Sequence, residues 1–228
     1  MITRLTMLGA LLAIGTANAA TISFAADVDP TQPSLLSQFD AVNTVTNVTD
    51  MGPTFTMLLV DPQDGGPVSA FNANLTVDFD LVYQSTVETG PGVFAHYFSL
   101  NGIFEFFDAD TNDFLLRGVI TDSVAAMVAL GTSTIIQSGF ISGFEIEYEL
   151  GSIISGITGF GQFSPGDFGF TLTDLNQGDG AVLLLENGVV VGIDAFDARA
   201  SFSGTIIPTP GAIALFAMTG LISIRRRR

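Results

Sequence analysis

The acidic segment from Asp108 to Asp113, DADTND, carries oxygen donors at alternate positions. Asp108, Asp110 and Asn112 in that spacing match the opening of a calcium-binding loop. The rest of the pattern is missing, because Asp113 stands where the turn glycine belongs and Val119 occupies the place of the final glutamate. Two interpretations stay open: a solvated hairpin turn, which the flanking FEFF and FLLRG favour, or a weak calcium site formed by Asp108, Asp110, Asn112 and Asp113.

Other acidic groups are weaker candidates. The pairs Asp61/Asp64 and Asp174/Asp179 resemble the first segment only in having two nearby carboxylates. Three glutamates, Glu145, Glu147 and Glu149, alternate along FEIEYEL, which on a strand places neighbouring carboxylates about 6 to 7 Å apart. That separation overlaps the carboxylate spacing of glycoside hydrolases. A solvated strand face gives the same spacing, and the chain has no tryptophan to grip a sugar, so hydrolysis is the weaker alternative.

The chain contains one histidine, His96, in the segment VFAHYF. On a strand its neighbours on the same face are Phe94 and Phe98, which predicts a packed or rim histidine rather than a general base. No G-x-S-x-G elbow supplies a nucleophilic serine, and the absence of lysine excludes the phosphate-loop motif. We therefore expect no catalytic activity and no cofactor, with calcium as the one exception left open.

These side chains must be positioned by strands, because alternation of apolar and polar residues dominates the sequence. In Asn74–Tyr83, NLTVDFDLVY, the residues on one face are all apolar, whereas the other face carries Thr76, Asp78 and Asp80. Phe144–Leu150 and Phe196–Ser203 show the same period of two. Such strands are typical of an antiparallel sheet with one buried and one solvated face.

Further strands and turns follow at intervals typical of a sandwich. Asn187-Gly188 predicts a tight hairpin, because both residues tolerate positive φ. The segment Asp122–Leu130, DSVAAMVAL, is the one predicted helix of the body. We therefore predict an all-β fold, a single antiparallel β-sandwich that is jelly-roll-like. The other predicted strands are Thr54–Val60, Val93–Leu100, Ile103–Phe107, Phe114–Thr121, Thr134–Gln137, Phe168–Thr173 and Ala181–Leu185, and the other turns are Asp61–Gly66, Thr89–Gly92, Asp108–Asp113 and Asn176–Gly180.

Charge is distributed unevenly along the chain. All seven basic residues are arginine, and only Arg117 and Arg199 lie within the region that holds all 23 acidic residues, Asp27 to Asp197. Two cations against 23 anions leave that region with a net charge of −21. Such a surface repels phosphate backbones, so we expect no nucleic-acid partner. The chain has no cysteine, which excludes disulfides and thiolate metal sites.

The first nineteen residues, MITRLTMLGALLAIGTANA, have the layout of a secretory signal peptide. Arg4 is followed by an apolar run from Leu5 to Ile14 and by small residues that end in Ala17-Asn18-Ala19. This pattern predicts a cleavable signal helix at residues 1–19, with Ala20 at the mature N-terminus. The body is then extracytoplasmic.

The segment PTPGAIALFAMTGLISIRRRR carries the most specific pattern in the chain. Pro208, Thr209, Pro210 and Gly211 precede thirteen mostly apolar residues, Ala212 to Ile224, and then come Arg225, Arg226, Arg227 and Arg228. This arrangement resembles the C-terminal sorting signal of PEP-CTERM proteins: a Pro-Glu-Pro-like motif, a short hydrophobic helix and a basic end. Thr209 stands where that family usually has glutamate.

The resemblance implies a partner and a destination. In PEP-CTERM proteins the signal is a tag for exosortase, a membrane-embedded cysteine transpeptidase that removes the tail and sorts the protein to the cell surface or extracellular matrix. It also implies transient membrane anchoring through the hydrophobic helix before processing, with the arginines as a cytoplasmic stop-transfer signal, and extracellular polysaccharide as a further partner. The domains are then 1–19 signal peptide, 20–205 β-sandwich and 206–228 sorting tail. A plain C-terminal helix packed on the domain is the alternative, and a glycan- or calcium-binding module is the alternative function.

Overall fold

The computed structural model describes residues 19–25, 35–50, 52, 54–62, 65–130, 133–138 and 146–206. Residues 1–18 of the predicted signal helix, the residues from 207 onward, Asp64, and Phe144 with Glu145 lie outside the described residues. The described part is almost entirely β, in thirteen strands, one short α-helix and one 3-10 turn at Leu175–Gly178. The elements are β1 Ala20–Ala25, β2 Leu35–Asp40, β3 Val45–Asp50, β4 Thr54–Asp61, β5 Ser69–Gly90, β6 Val93–Asp108, β7 Phe114–Leu130, β8 Ser133–Ser138, β9 Ile146–Leu150, α1 Ser152–Thr158, β10 Phe163–Thr173, β11 Leu183–Glu186, β12 Val189–Ile193 and β13 Asp197–Ile206.

The predicted alternation is confirmed in the strands that carry it. Along β5, Leu75, Val77, Phe79 and Leu81 are buried, while Asp78 and Asp80 are exposed. The residues predicted to face inward on β9, on β13 and directly before β13 are likewise buried, namely Ile146, Tyr148, Leu150, Phe196, Ala198, Ala200 and Phe202. The period of two therefore sorts the apolar side chains to one face of the sheet, and the all-β prediction is confirmed.

Eleven of the described strands form one antiparallel sheet whose pairings close on themselves. At three places around the sheet, two strands lie end to end and pair with the same neighbour. Strands β1 and β2 both pair with β13, and β3 and β4 both pair with β5. Strands β8 and β9 both lie between β7 and β10. The eleven strands therefore occupy eight strand positions around the circuit. The pairing of β10 with β13 closes the circuit over a continuous register from Gly166↔Ile206 to Thr173↔Arg199.

Phenylalanine rings fill the space that the circuit encloses. Phe79 on β5 contacts Phe170 on β10 at a centroid distance of 5.0 Å, and Phe104 on β6 lies 4.8 Å from Phe202 on β13. These strands are not hydrogen-bonded neighbours, so the contacts join opposite sides of the interior. Edge-to-face and tilted ring pairs of this kind add to the free energy of burial.

The helix predicted at Asp122–Leu130 is wrong, because this segment is the second half of β7. Its backbone pairs with β6 on one side and β8 on the other, with Ala125 opposite both Phe98 and Ser138. The consecutive buried residues Ala125, Ala126 and Met127 suit a helix by propensity. The backbone of this segment is instead bonded to a strand on each side, and these tertiary pairings override that local preference.

Two further features differ from the predictions. The strands predicted at Val93–Leu100 and Ile103–Phe107 are one strand, β6, with a register shift between Leu100 and Gly102. Gly102 has a φ of 143°, and a Cβ there would collide with the Asp78 carbonyl, so the bulge requires glycine. The helix α1 was not predicted, since SIISGIT is rich in residues that disfavour helices; it is held by buried Ile154.

We expect Phe104→Ala to lower the free energy of unfolding by about 3 to 5 kcal/mol, since it empties the centre of the ring cluster. Phe104 contacts the rings of Phe79, Phe106, Tyr148 and Phe202. Phe94→Ala, at a residue that is 46% exposed, is the matched control and should cost less than about 1 kcal/mol. Urea unfolding measures both changes, and equal costs for the two variants would contradict this core.

Candidate functional site

The acidic segment forms the turn between β6 and β7, as predicted for a hairpin. The Asp108 N–H donates to the Asp113 carbonyl at 2.8 Å, and the Asn112 N–H donates to the Asp108 carbonyl at 2.9 Å. Asn112 has a φ of 60°, a conformation that asparagine tolerates better than most residues. The turn is therefore closed by its own backbone.

The Asp108 carboxylate holds the turn in place. Its Oδ1 accepts hydrogen bonds from the Thr111 and Asp110 N–H groups, both at 2.9 Å. The Thr111 hydroxyl donates to Asp113 Oδ2 at 2.8 Å. The bond from the Thr111 N–H, and then the one from Asp110, stabilise the ionised form and lower the pKa of Asp108 below its ordinary value of 3.8.

These contacts fit the solvated-turn interpretation, because the side chains of Asp108 and Thr111 bond to groups of the turn itself. Within the described ranges, no three His, Cys, Asp or Glu side chains are grouped so that they could hold a metal ion. Calcium binding at Asp108, Asp110, Asn112 and Asp113 stays a prediction. A calcium-dependent rise in Tm that is lost in the double variant Asp108→Ala/Asp110→Ala would support it.

The weaker acidic pairs are only partly placed by the structure. Asp61 ends β4, and Asp64 lies outside the described residues. Asp174 has a φ of 57° and forms an ion pair with Arg199, whose Nε lies 3.3 Å from its Oδ2. The Asp179 N–H donates to the Asn176 carbonyl at 3.2 Å. Asp174 is thus bound to a cation of the chain itself.

The glutamate strand is organised around an arginine that the sequence analysis did not connect with it. Arg117 on β7 lies opposite both Glu105 on β6 and Glu149 on β9. Its Nε donates to Glu105 Oε1 at 2.7 Å, and Nη1 donates to Glu149 Oε2 at 2.8 Å. The hydrogen bond to Glu105 is the largest cause of the raised pKa of Arg117, and the charge of Glu149 adds to it.

The ion pairs of Arg117 with Glu105 and Glu149 weaken the interpretation of the glutamates as hydrolase residues. Glu149 is bound to Arg117 and lies 3.5 Å from Gln162 Nε2, while Glu147 is exposed. The Glu149 carboxylate is therefore already engaged by a cation of the chain itself. The one sequence signal for this set was the isolation of Arg117 among acidic residues, but the sequence did not show which strands would lie beside it.

His96 lies on β6 near the tip of the β5–β6 hairpin and is partly buried. Its Nδ1 is 2.7 Å from Thr86 Oγ1, which is in turn 2.9 Å from the Tyr83 hydroxyl. Burial lowers the pKa of His96 below its ordinary value of 6.5, because desolvation disfavours the charged imidazolium. Phe98 is buried and Phe94 is exposed, which places the histidine at the rim of the packed region. Its hydrogen-bond partner is a hydroxyl, whereas a catalytic triad places a carboxylate there.

The sorting motif Pro208, Thr209, Pro210 and Gly211 and the arginines Arg225 to Arg228 lie outside the described residues. In the ranges that the structure does describe, no helix is long and apolar enough to cross a membrane. Comparison of the chain with protein-family models, with curated proteins and with solved structures gives no match.

We expect Asp108→Ala to lower Tm at pH 7, with a difference from the wild type that narrows as the pH falls through the folded pKa of Asp108. The reason is that a carboxyl group with a lowered pKa stabilises the fold above 3.8 and loses that effect on protonation. Asp110→Ala is the control, since no hydrogen bond to its carboxylate is found in the described turn. A Tm difference that is constant from pH 7 down to pH 2 would contradict the role of the Asp108 charge.

We expect Arg117→Gln to lower the free energy of unfolding by about 1 kcal/mol, because the three charges lie near the surface and solvent screens them. The side chain of Arg117 is 39% exposed. A double-mutant cycle with Glu105→Gln should give a coupling of about 0.5 to 1 kcal/mol that shrinks in high salt. Glu147→Gln, on the same face of β9 as Glu149, is the control and should change stability by less than about 0.5 kcal/mol. A coupling energy of zero would show that the ion pair between Arg117 and Glu105 contributes nothing to the free energy of unfolding.

Proposed function

We propose that this protein is an exported cell-surface or extracellular-matrix protein of a bacterium, sorted through Pro208–Arg228, and that its β body is non-catalytic. The observation that carries the proposal is the order of elements in that segment: Pro-Thr-Pro-Gly, the apolar run Ala212–Ile224, and four arginines. The signal-peptide pattern at residues 1–19 supports it independently, because a sorting tail acts only on a chain that enters the export pathway.

Charge supports the same proposal. Arginines next to an apolar segment are retained on the cytoplasmic side of a membrane, whereas the acidic region belongs on the opposite side. The apolar run of thirteen residues is shorter than the roughly 20 that a full span requires. A short, transient anchor suits a segment that a sorting enzyme removes, and an exosortase-type enzyme is the partner that we propose.

The body suits a structural or binding role outside the cell. We infer that its circuit of strands is flattened into two layers, a jelly-roll-like sandwich, because rings from β5 and β6 contact rings from β1, β10 and β13. The outer face carries carboxylates such as Asp78 and Asp80, which favours solubility. Extracellular polysaccharide is the partner to test first.

A non-catalytic body is favoured over a glycoside hydrolase because two of the described acid and base candidates, Glu149 and His96, are already engaged. Glu149 is ion-paired with Arg117, and His96 faces a threonine hydroxyl. The hydrolase and the calcium- or glycan-binding module stay alternative predictions. Incubation with labelled polysaccharides separates them, because a hydrolase shortens the polymer, whereas a binding module retains it intact.

We expect co-expression with the cognate sorting enzyme to give a surface or extracellular form that begins at Ala20 and lacks the hydrophobic tail. Pro208→Ala/Pro210→Ala should leave the full tail in place and hold the protein in the membrane fraction. Thr209→Glu, which introduces the residue usual in the PEP-CTERM motif, is the matched control and should be processed at least as well as the wild type. Intact-mass measurement of each cell fraction reads out all three.

Two results would contradict the proposal. One is a wild-type chain that stays unprocessed from Met1 to Arg228 in the cytoplasm with the enzyme present. The other is equal processing of the wild type and the double-proline variant. Equal Tm values for the bodies of all variants would confirm that the substitutions act on sorting and not on folding.

A further inference from the structure

The chain contains two Asn-Gly dipeptides, Asn101-Gly102 and Asn187-Gly188, and the fold places them in opposite environments. Asn-Gly is chemically special because glycine leaves its own amide nitrogen unshielded next to the asparagine side chain. One dipeptide lies within a strand of the main sheet, and the other forms the tip of a small hairpin. This contrast provides an internal comparison within one molecule.

Asn187-Gly188 forms the two-residue turn between β11 and β12. Their φ angles are 53° and 80°, the left-handed pair that defines a type I′ turn and that the sequence predicted. Both residues are exposed, and no neighbouring atom lies within 4 Å of the position that a Cβ on Gly188 would occupy. The two strands form a sheet of their own, which has a register shift between Leu184 and Leu185.

Asn101-Gly102 is held from several sides. Asn101 Oδ1 accepts a hydrogen bond from the Asp122 N–H at 2.7 Å. Gly102 is packed so closely on β5 that a Cβ would collide with the Asp78 carbonyl. The strand β6 is also paired with β5 on one side and β7 on the other. Any motion of this dipeptide requires opening of the main sheet.

We propose that Asn187-Gly188 is a site of spontaneous covalent modification, the deamidation of asparagine to aspartate and isoaspartate. Hydroxide from solvent takes the Gly188 amide proton, and the Gly188 nitrogen attacks Asn187 Cγ and forms a C–N bond. The bond between Cγ and Nδ2 then breaks, and Nδ2 takes a proton from water and leaves as ammonia. The product is a five-membered succinimide. Water then adds to one of its two carbonyls and breaks one ring C–N bond, which gives aspartate or, through the other carbonyl, isoaspartate. No electrons are transferred, and the only co-reactant is water.

The rate of this reaction depends on how easily the backbone of the turn rotates. In the left-handed conformation the chain must turn about the Asn187 Cα–C bond before the Gly188 nitrogen can reach Cγ. At the tip of an isolated two-stranded hairpin, that rotation disturbs only the local pairing of Glu186 with Val189. Local openings of this kind cost far less than opening of a central strand. The fold therefore exposes one dipeptide to the reaction and protects the other.

The modification has a local structural effect. Aspartate adds a negative charge beside Glu186, and isoaspartate inserts an extra methylene into the backbone, which no longer fits a two-residue turn. The base of the hairpin is attached separately, since Thr46 Oγ1 bonds both the N–H and the carbonyl of Ile193 at 3.1 and 3.2 Å. We therefore expect the tip to loosen while the main sheet stays intact.

The experiment follows both dipeptides in the purified full-length protein at mildly alkaline pH by peptide mapping and mass spectrometry. We expect Asn187 to convert at least about tenfold faster than Asn101, because only its opening is local. In denaturant the two rates should become similar. In water labelled with oxygen-18, each product should take up one labelled oxygen, and isoaspartate should form together with aspartate.

One variant and two outcomes decide the proposal. Asn187→Gln should abolish the fast conversion, since glutamine would need a less favourable six-membered ring, and it should leave the slow rate at Asn101 unchanged. Equal rates at the two sites in the folded protein would overturn the proposal. Formation of aspartate without isoaspartate would also overturn it, because direct hydrolysis gives only aspartate.

Discussion

Closure of the sheet through the β10–β13 and β3–β5 pairings is the constraint on which the fold depends. An antiparallel sheet with free edges exposes unpaired N–H and C=O groups, which are costly when buried and prone to association when exposed. Closure requires glycine where Tyr148 packs against the seam: a Cβ at Gly166 or Gly204 would collide with its ring or hydroxyl. The Tyr148 hydroxyl donates to the Asp167 carbonyl at 2.8 Å, so the buried phenol is satisfied at the same place.

The closed circuit also explains how so acidic a chain remains compact. Carboxylates on the outer face stand in water or share a donor, as Asp78 and Asp80 do with the Asn47 side-chain amide at 2.9 and 3.1 Å. Arg117 connects three strands by neutralising charge between them. The interior carries aromatic and aliphatic residues, so repulsion acts across high-dielectric solvent and costs little.

The elements that could be predicted from the sequence are those that depend on residues close together in the chain. The β5 pattern, the turn at Asp108–Asp113 and the Asn187-Gly188 hairpin depend on residues next to one another, and the structure confirms them. The strands β1, β2 and β3 were not predicted: each is only six residues long, and four of the six residues of β3 are polar. Their place depends on partners far along the chain. The Asp122–Leu130 helix failed for the same reason, and so did the connection of Arg117 with Glu105 and Glu149, which no local spacing indicates.

The pairing of β1 with β13 has a kinetic consequence. Ala20 lies opposite Ile206, so the first described strand acquires this partner only when nearly the whole body has been synthesised. Contacts between residues so distant in sequence impose a large loop-closure entropy and slow folding. The circuit of the sheet therefore closes only when β13 has been made, late in the synthesis of the described body.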